Sequence, residues 1–542
     1  MFYIIMPLQI DAYSRTLYIK TVFLPHQSKF NTIMKIRNLL LVCLCSMNLN
    51  SMAQTISHST QAIEADTKYF SDWTCTQLGS KFKAKQLNEF RSPLMKQLAS
   101  DIWNGNYNAA YKVQQYKAIP SNKVLENAVK LTDGFSRYEN ITGIYLEKGE
   151  AVVLVGDLHG RTISLLIPDW NRQPTPGYAP TKDPNGWDLK CQEIALHEGA
   201  NVIYVEKAGN VYLNYFANDP ETAPEIKIHF PTGLVNGYFD SSIHTNEDWN
   251  RLLDNAVSPI MDARGKYMQI AYPVQYLKQF AYGKGTELLD NYDKIMFQQY
   301  TFMGATKYNR IPNKRILARV NYNYYMFRDG QGVAFLGDEK TMKMAIDEKV
   351  TTNWGVHHEI GHVMQMRPQM TWGGMTEVSN NLFAMFATKA LGDSSRLSVR
   401  KIYDAAFKAV LDSGEKISIL AVKDPFHKLV PFWQLHVYNE KRGYPEFYAD
   451  LMEKLRQSPH AGKGDQSIHN MFEFMKLACD FSKTDFTDFF ENWGFFVTGD
   501  MLIRDYADYH FTITPKMVED VKTYIAGKGY PKPEYDITRL TD

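Results

Sequence analysis

The segment that most constrains this chain is an HExxH motif formed by His358, Glu359 and His362. Residues i and i+4 of an α-helix lie on one face, so both imidazoles can reach a single ion while the glutamate lies beside it. Asn353 is suited to cap the start of such a helix, and Pro368 stops it shortly after the motif. The motif therefore predicts a helix with a metal site on one face. Three apolar residues predict a core contact for the other face: Val356, Ile360 and Val363.

The third ligand can be narrowed to Glu377, fifteen residues after His362. No Asp, Glu, His or Cys lies between these two residues. A site with three histidines would need a glycine at position 365 and a histidine at position 368, and Gln365 and Pro368 exclude it. Two histidines, one glutamate and one open position form a recognised catalytic zinc arrangement. We therefore expect one zinc ion, bound by His358, His362 and Glu377.

Other side chains near the motif are candidates for supporting roles. His357 is no alternative ligand because its i+4 partner is a glycine, and we expect it to make a capping contact or to support a ligand. Asn381 lies one helical turn after the predicted acidic ligand, so it is either a partner of the site or an ordinary surface amide. His436, with Tyr438 as a competitor, is a candidate oxyanion stabiliser or else a structural histidine. Trp372 is a candidate contact for a glycan, with core packing as the alternative.

Short blocks around the motif are similar to those of a known family. The block in the centre of the chain consists of Trp354-Gly355, the HExxH motif, Trp372, Thr376-Glu377-Val378 and Asn381. Weaker similarity in the flanks covers Asn140–Tyr145 with Glu150, and Phe489–Gly494. Together these blocks resemble the enhancin-like metallopeptidases over roughly residues 60–500. That family includes bacterial zinc proteases that cleave mucins and other O-glycosylated proteins.

The resemblance implies both an activity and a fold. It implies a zinc endopeptidase with O-glycosylated protein substrates, in which Glu359 acts as general base beside the metal. The fold class it implies is α+β, with a β-sandwich followed by a mostly helical catalytic domain of the zincin (gluzincin) type. Two other functions stay open: a non-enzymatic glycan-binding or adhesion protein with a relic metal site, and a zinc aminopeptidase. An aminopeptidase would need acids to bind a free substrate amine, and no acid-rich motif precedes the metal helix.

The start of the chain predicts a secretory leader. A basic stretch after Met34 is followed by a short apolar run and by small residues at Ser51 and Ala53. This pattern predicts a signal peptide over residues 34–53, cleaved after Ala53. Residues 1–33 lack signal character, so we expect translation to begin at Met34. The mature protein is then expected in the periplasm, at the cell surface or outside a bacterial cell.

Length and composition limit the remaining possibilities. A chain of 542 residues is expected to form two or three domains. Its formal net charge of +1, with no basic stripe, argues against a nucleic-acid partner. No apolar run approaches the ~20 residues that a membrane span needs. Only Cys75, Cys191 and Cys479 follow the leader, so at most one disulfide is possible and packing must supply the stability.

Changes in apolar periodicity predict the domain boundaries. Residues 54–135 are predicted to be helical, residues 136–240 to form the β-sandwich, and residues 241–542 to form the catalytic domain. Within the sandwich, residues 144–146 and 151–155 are predicted to pair as a hairpin. Helix is predicted over residues 245–305, over 376–411 and over most of 428–500. Short strands at 315–323 and 333–336 precede the motif, and an edge strand there could bind a substrate backbone.

Overall fold

The computed structural model describes residues 58–131, 134–179, 182–186 and 188–542. The predicted leader and residues 1–33 lie outside this range, so the predicted start site and cleavage site stay predictions. From Ser59 to Asp542 the chain forms one compact unit. Among the helices described, none combines the length and the apolar character that crossing a membrane requires.

The N-terminal region combines helices with two short strands. Ser59 and Ser92 cap the first two helices by accepting hydrogen bonds from backbone N–H groups. Residues 113–116 lie in the region predicted to be mainly helical, but they form a strand that pairs antiparallel with residues 226–229 of a sheet. The elements are α1 (Thr60–Asp66), α2 (Pro93–Trp103), β1 (Val113–Tyr116), β2 (Ile119–Pro120) and α3 (Asn122–Val129).

Two sheets follow, and apolar side chains from both form one buried cluster. Besides β1, their strands are β3 (Asn140–Leu146), β4 (Gly149–Val155), β5 (Ile163–Pro168), β6 (Cys191–Leu196), β7 (Gly199–Val205), β8 (Gly209–Asn214), β10 (Ile226–His229) and β11 (Leu234–Val235). The short strand β9 (Phe216–Ala217) pairs parallel with β2 instead. The first sheet has the strand order β1-β10-β4-β7, and the second has the order β11-β3-β8-β5-β6. The pairings between these strands are antiparallel.

The predicted hairpin between residues 144–146 and 151–155 is wrong. Strand β3 pairs with β8 and β11, whereas β4 pairs with β7 and β10, so the two strands belong to different sheets. Both faces of β4 are covered: Val153 packs in the cluster between the sheets, and Val152 packs against the N-terminal helices. A short turn between two apolar strands does not reveal that the chain crosses from one sheet to the other.

A six-stranded mixed sheet with the order β12-β13-β14-β15-β17-β16 precedes the metal helix. Strands β13 and β14 lie within residues 245–305, where only helix was predicted. Nearly every residue of both strands is buried, so the alternation that identifies a strand is absent from the sequence. The elements are β12 (Phe239–Asp240), α4 (Asn246–Asp254), β13 (Ile260–Arg264), β14 (Met268–Pro273), α5 (Val274–Ala281), α6 (Gly285–Phe302), β15 (Ile316–Asn321), β16 (Met326–Asp329) and β17 (Gly332–Leu336).

The rest of the chain is mostly helical, with one hairpin formed by β18 and β19. The elements are α7 (Glu339–Ile346), α8 (Trp354–Met364), α9 (Thr376–Ala390), α10 (Arg396–Val399), α11 (Ile402–Ala406), α12 (Pro425–Lys441), α13 (Phe447–Gln457), α14 (Ile468–Ser482), α15 (Thr487–Asn492), β18 (Gly499–Arg504), β19 (Asp508–Ile513) and α16 (Pro515–Gly527). The structure is therefore a mixed α/β fold in which one large core joins the six-stranded sheet to these helices.

Candidate metal centre

Helix α8 carries the HExxH motif. Asn353 caps its start as predicted, with its side-chain oxygen accepting from the backbone N–H of Val356. The helix ends at Met364, three residues before the predicted end, because Gln365 adopts an extended conformation. The three apolar residues of the opposite face are buried as predicted: Val356, Ile360 and Val363.

The two motif histidines and Glu377 converge on one point. Glu377 Oε2 lies 3.2 Å from His358 Nε2 and 3.5 Å from His362 Nε2. One potential ligand atom from each residue lies within 4.8 Å of the other two. Ligands bound tetrahedrally to zinc at about 2.0–2.1 Å lie about 3.3 Å from one another. The spacing of this donor set therefore fits a metal ion of that size.

Hydrogen bonds at the other ring nitrogens favour the histidine tautomers that a metal requires. His358 Nδ1 lies 2.7 Å from Asn381 Oδ1, and His362 Nδ1 lies 3.1 Å from Gln365 Oε1. The Asn381 amide orientation is fixed because its Nδ2 donates to the carbonyl of Glu377 over 2.7 Å. Both oxygens can only accept, so each Nδ1 carries a proton and each Nε2 is left as the nitrogen that would face a metal. Asn381 thus makes the contact expected of a partner of the site.

Gln365 and Asn380 complete the surroundings of the ligands, and the sequence analysis assigned a role to neither. Gln365 Nε2 donates to Ser379 Oγ over 2.7 Å, which holds its oxygen toward His362. Asn380 is fully buried with its Nδ2 3.0 Å from His362 Nε2. Its close approach depends on Gly361, where a Cβ would lie 2.4 Å from the Asn380 carbonyl oxygen. The tandem Asn380-Asn381 after the acidic ligand was the available sequence signal.

The pKa values of the two glutamates of the site, Glu359 and Glu377, are shifted in opposite directions. Glu359 is only 7% exposed, and its burial raises the pKa of its carboxyl group. Burial acts in the same sense on Glu377, but hydrogen bonds from His358 and His362 outweigh it and hold the pKa of Glu377 well below its usual range. One carboxylate is therefore suited to exchange a proton, and the other to remain ionised as a ligand.

His357 makes a structural contact rather than a contact to a ligand. Its ring is fully buried, and Nε2 lies 2.8 Å from the carbonyl oxygen of Thr351 in the turn before α8. Burial lowers the pKa of His357 to about 4, so the ring is neutral and Nε2 donates. Gln299 donates to the His357 carbonyl over 3.0 Å. Of the two roles expected for this residue, the structure shows the capping contact.

The prediction that His436 stabilises the oxyanion is wrong. His436 is 2% exposed and packs against Trp433 and Phe386, with ring centroids 4.6 and 5.7 Å away. Phe386 lies nine residues after Glu377 on α9, which places it about 13 Å from the ligand along the helix axis. Its competitor Tyr438 is equally buried, and its ring packs against Phe486 and Tyr535, with centroids 5.6 and 6.0 Å away.

The prediction that Trp372 contacts a glycan is also wrong. Trp372 is only 1% exposed, so a sugar cannot reach the faces of its indole. The ring packs against Phe432 and Phe474, with centroids 6.1 and 5.9 Å away. The alternative of core packing is the one that the structure shows.

One residue of the metal centre comes from the hairpin of β18 and β19. The hydroxyl of Tyr506, at the hairpin tip, donates to Glu377 Oε1 over 2.7 Å. This contact was not predicted, because 129 residues separate the two side chains. No local spacing or periodicity links a turn tyrosine to a helix so distant along the chain.

Comparison with known families identifies the segment that holds the centre. A family model described as "Peptidase M60, enhancin and enhancin-like" matches residues 233–494. These residues are similar to the enhancin-like peptidases. The resemblance noted in the sequence is therefore confirmed, and the three converging ligands lie inside the matched segment. No curated protein matches the chain significantly.

Solved structures of metallopeptidases share this fold. A metallopeptidase from Bacteroides thetaiotaomicron superposes with a TM-score of 0.73 at 23% identity, over 90% of this chain and 82% of that one. A metallopeptidase in complex with Tn antigen gives 0.67 at 23% identity, over 80% of each chain. The catalytic domain of ZmpC from Clostridium perfringens, in complex with the sialyl T antigen, gives 0.59 at 15% identity, over 79% of this chain and 81% of that one.

Proposed function

We propose that this protein is a secreted zinc endopeptidase that hydrolyses peptide bonds in O-glycosylated, mucin-type proteins. The observation that carries the proposal is the convergence of His358, His362 and Glu377, with Glu359 buried beside them. Two imidazoles and one carboxylate form the donor set of catalytic zinc sites that keep an open position. One zinc ion per chain would fill the space that these atoms surround.

The side chains around the centre have different roles in the proposed hydrolysis. A zinc ion held by His358, His362 and Glu377 would supply Lewis acidity, which polarises a scissile carbonyl and makes a water molecule more acidic. Glu359 accepts the proton of the attacking water, and its raised pKa brings it closer to the pH at which such exchange is efficient. It then donates this proton to the departing amine. Glu377 stays ionised and holds its place against both histidines throughout.

The preference for glycoproteins is supported by related structures. Two metallopeptidases with the same fold are in complex with the Tn antigen and the sialyl T antigen. We extend this binding to the present chain, whose substrates would then carry O-linked sugars. The side chains that contact the glycan lie elsewhere than Trp372.

We assign different roles to two regions of the fold. We interpret residues 136–240, whose two sheets share one core, as a β-sandwich domain. Residues 241–542 would form the catalytic domain of the zincin type, with β16 as the edge strand available to a substrate backbone. Secretion through a signal peptide at residues 34–53 is part of the same proposal, since extracellular glycoproteins are the natural substrates of such an enzyme.

One experiment distinguishes the proposed function from the two alternatives, an adhesion protein and an aminopeptidase. The purified protein is incubated with a mucin and with its deglycosylated form, each with and without a chelator. The proposal expects cleavage of the glycosylated mucin, loss of cleavage after chelation, and weaker cleavage of the deglycosylated protein. Binding of mucin without cleavage would favour an adhesion protein with a relic metal site. Release of single amino acids from free N-termini would favour an aminopeptidase.

A further inference from the structure

The two oxygens of the Glu377 carboxylate have different partners. Oε2 faces His358 Nε2 and His362 Nε2, at 3.2 and 3.5 Å. Oε1 accepts a hydrogen bond from the Tyr506 hydroxyl over 2.7 Å. A carboxylate held in this way can bind a metal through Oε2, while Oε1 is occupied by the hydrogen bond from Tyr506.

The tip of the hairpin is fixed to the start of α9. Asp505 Oδ2 accepts from the backbone N–H groups of Gly374 and Thr376, at 2.8 and 3.0 Å. Met375, the residue that precedes α9, makes no side-chain cap, so Asp505 supplies the cap from a distant part of the chain. This capping carboxylate places the next residue, Tyr506, beside the first turn of the helix that carries Glu377.

Two glycines before α9 allow the hairpin to approach this closely. A Cβ at Gly373 would lie 2.5 Å from Tyr509 Cγ, and Gly374 has a φ of +90° that favours glycine. Tyr506 itself is 81% exposed. Its position therefore depends on the anchored hairpin and on the hydrogen bond to Glu377, since packing holds little of the side chain.

We propose that Tyr506 is a positioning residue that keeps Glu377 a monodentate ligand. This inference deepens the proposed function and rests on the metal centre described above. Without the tyrosine hydroxyl, Oε1 is free to rotate toward the metal, and the carboxylate can bind through both oxygens. The second oxygen would then compete for the position that water and substrate need. Because the matched family segment ends at residue 494, the hairpin extends the metal centre beyond that segment.

The test is metal binding by Tyr506→Phe in the full chain, measured with Co²⁺ and Zn²⁺ and without substrate. Loss of a hydrogen bond that orients a metal ligand weakens affinity by roughly 10- to 100-fold. A second bond from Oε1 would offset part of this loss, so a smaller decrease is expected. Visible absorption by bound Co²⁺ is expected to weaken as well, because cobalt absorbs less strongly when the number of ligands rises above four. A tyrosine with only a structural role would leave this spectrum unchanged.

Two further variants separate the hydroxyl from the hairpin. Thr512→Val is the matched control, because Thr512 donates to the carboxylate of Asp500 over 2.6 Å in the same hairpin, far from the metal centre. It is expected to bind both metals as the wild type does. Asp505→Ala removes the anchor of the tip, so it is expected to reproduce part of the change caused by Tyr506→Phe.

The outcomes distinguish this inference from the proposed function. Wild-type affinity together with a wild-type cobalt spectrum in Tyr506→Phe would overturn the role of Tyr506 and leave the metal centre standing. An equal loss in Thr512→Val would overturn it too, by attributing the effect to the hairpin in general. A wild-type chain that binds neither metal would overturn the metal centre, and the role of Tyr506 with it.

Discussion

Asn381 Oδ1 lies 2.7 Å from His358 Nδ1, and this contact links helix α9 to the first metal ligand of helix α8. The same side chain donates to the backbone carbonyl of Glu377 over 2.7 Å. This second hydrogen bond fixes the amide of Asn381, and the fixed amide in turn orients the imidazole of His358. The two helices are therefore joined at the metal centre by a polar contact as well as by packing.

Asn381→Ala is predicted to weaken zinc binding by roughly 10- to 100-fold, because His358 loses the acceptor that fixes its tautomer. Competition with a chromophoric chelator measures the affinity. Asn439→Ala is the matched control: Asn439 is buried on α12 and donates to the Leu435 carbonyl over 2.7 Å, but it has no contact with a ligand. Equal zinc affinities in the two variants would contradict the role of Asn381.

Glu377→Ala is predicted to lose most of the bound zinc. The side chain is the only carboxylate ligand in the described cluster of three, and its removal leaves two imidazoles, which bind more weakly. Elemental analysis of the purified variant gives the zinc content per chain, with the wild type expected to hold about one. Full zinc content with full activity in Glu377→Ala would require another third ligand.

Gly361→Ala is predicted to cost ~1–3 kcal/mol of stability and to weaken zinc binding. The new Cβ would lie 2.4 Å from the carbonyl oxygen of Asn380, so helices α8 and α9 would have to separate beside the ligands. Gly527→Ala in α16 is the control, since its Cβ meets no heavy atom within 4 Å, and it is expected to be neutral or stabilising by up to ~1 kcal/mol. Thermal unfolding of both variants makes the comparison, and equal stabilities would contradict the tight helix contact.

Stability is predicted to fall as the pH rises from about 4 to about 7, because of Asp262. This carboxyl accepts from Tyr212 Oη at 2.5 Å and from Asn210 Nδ2 at 2.8 Å, and burial raises its pKa to about 7. The folded state binds more protons than the unfolded state in this range, so stability decreases with pH. From pH 5 to pH 8 the loss would be roughly 2–3 kcal/mol relative to Asp262→Asn.

Denaturant unfolding of the wild type and of Asp262→Asn at several pH values measures this difference. The asparagine keeps the shape of the side chain but has no proton to lose, so the variant is expected to gain stability relative to the wild type as the pH rises. Parallel curves for the two proteins would show that Asp262 is not protonated in the folded state near neutral pH.

Local spacing was enough to predict the three residues that converge at the candidate metal centre. His358 and His362 lie one turn apart on a single helix, and Glu377 is the next residue along the chain that can bind a metal strongly. The helix cap at Asn353 follows from the same local rules. These predictions needed no knowledge of how distant segments pack.

Predictions that depended on tertiary contacts were incomplete or wrong. The sequence places Trp372 beside two glycines, but only the packed structure reveals that its ring is buried and that the hairpin lies against those glycines. Strands β13 and β14 were missed because continuous burial removes their alternating pattern. Tyr506 reaches Glu377 across 129 residues, a contact that only the packed chain creates.

The variant Glu359→Gln tests the central claim most directly, with zinc content and mucin cleavage measured on the same preparation. The amide has almost the shape of the carboxylate but cannot accept a proton from water. The account predicts about one zinc per chain, as in the wild type, with cleavage slower by a factor on the order of 10²–10⁴. Cleavage at the wild-type rate by a zinc-loaded Glu359→Gln would contradict the claim that this residue is the general base of a zinc peptidase.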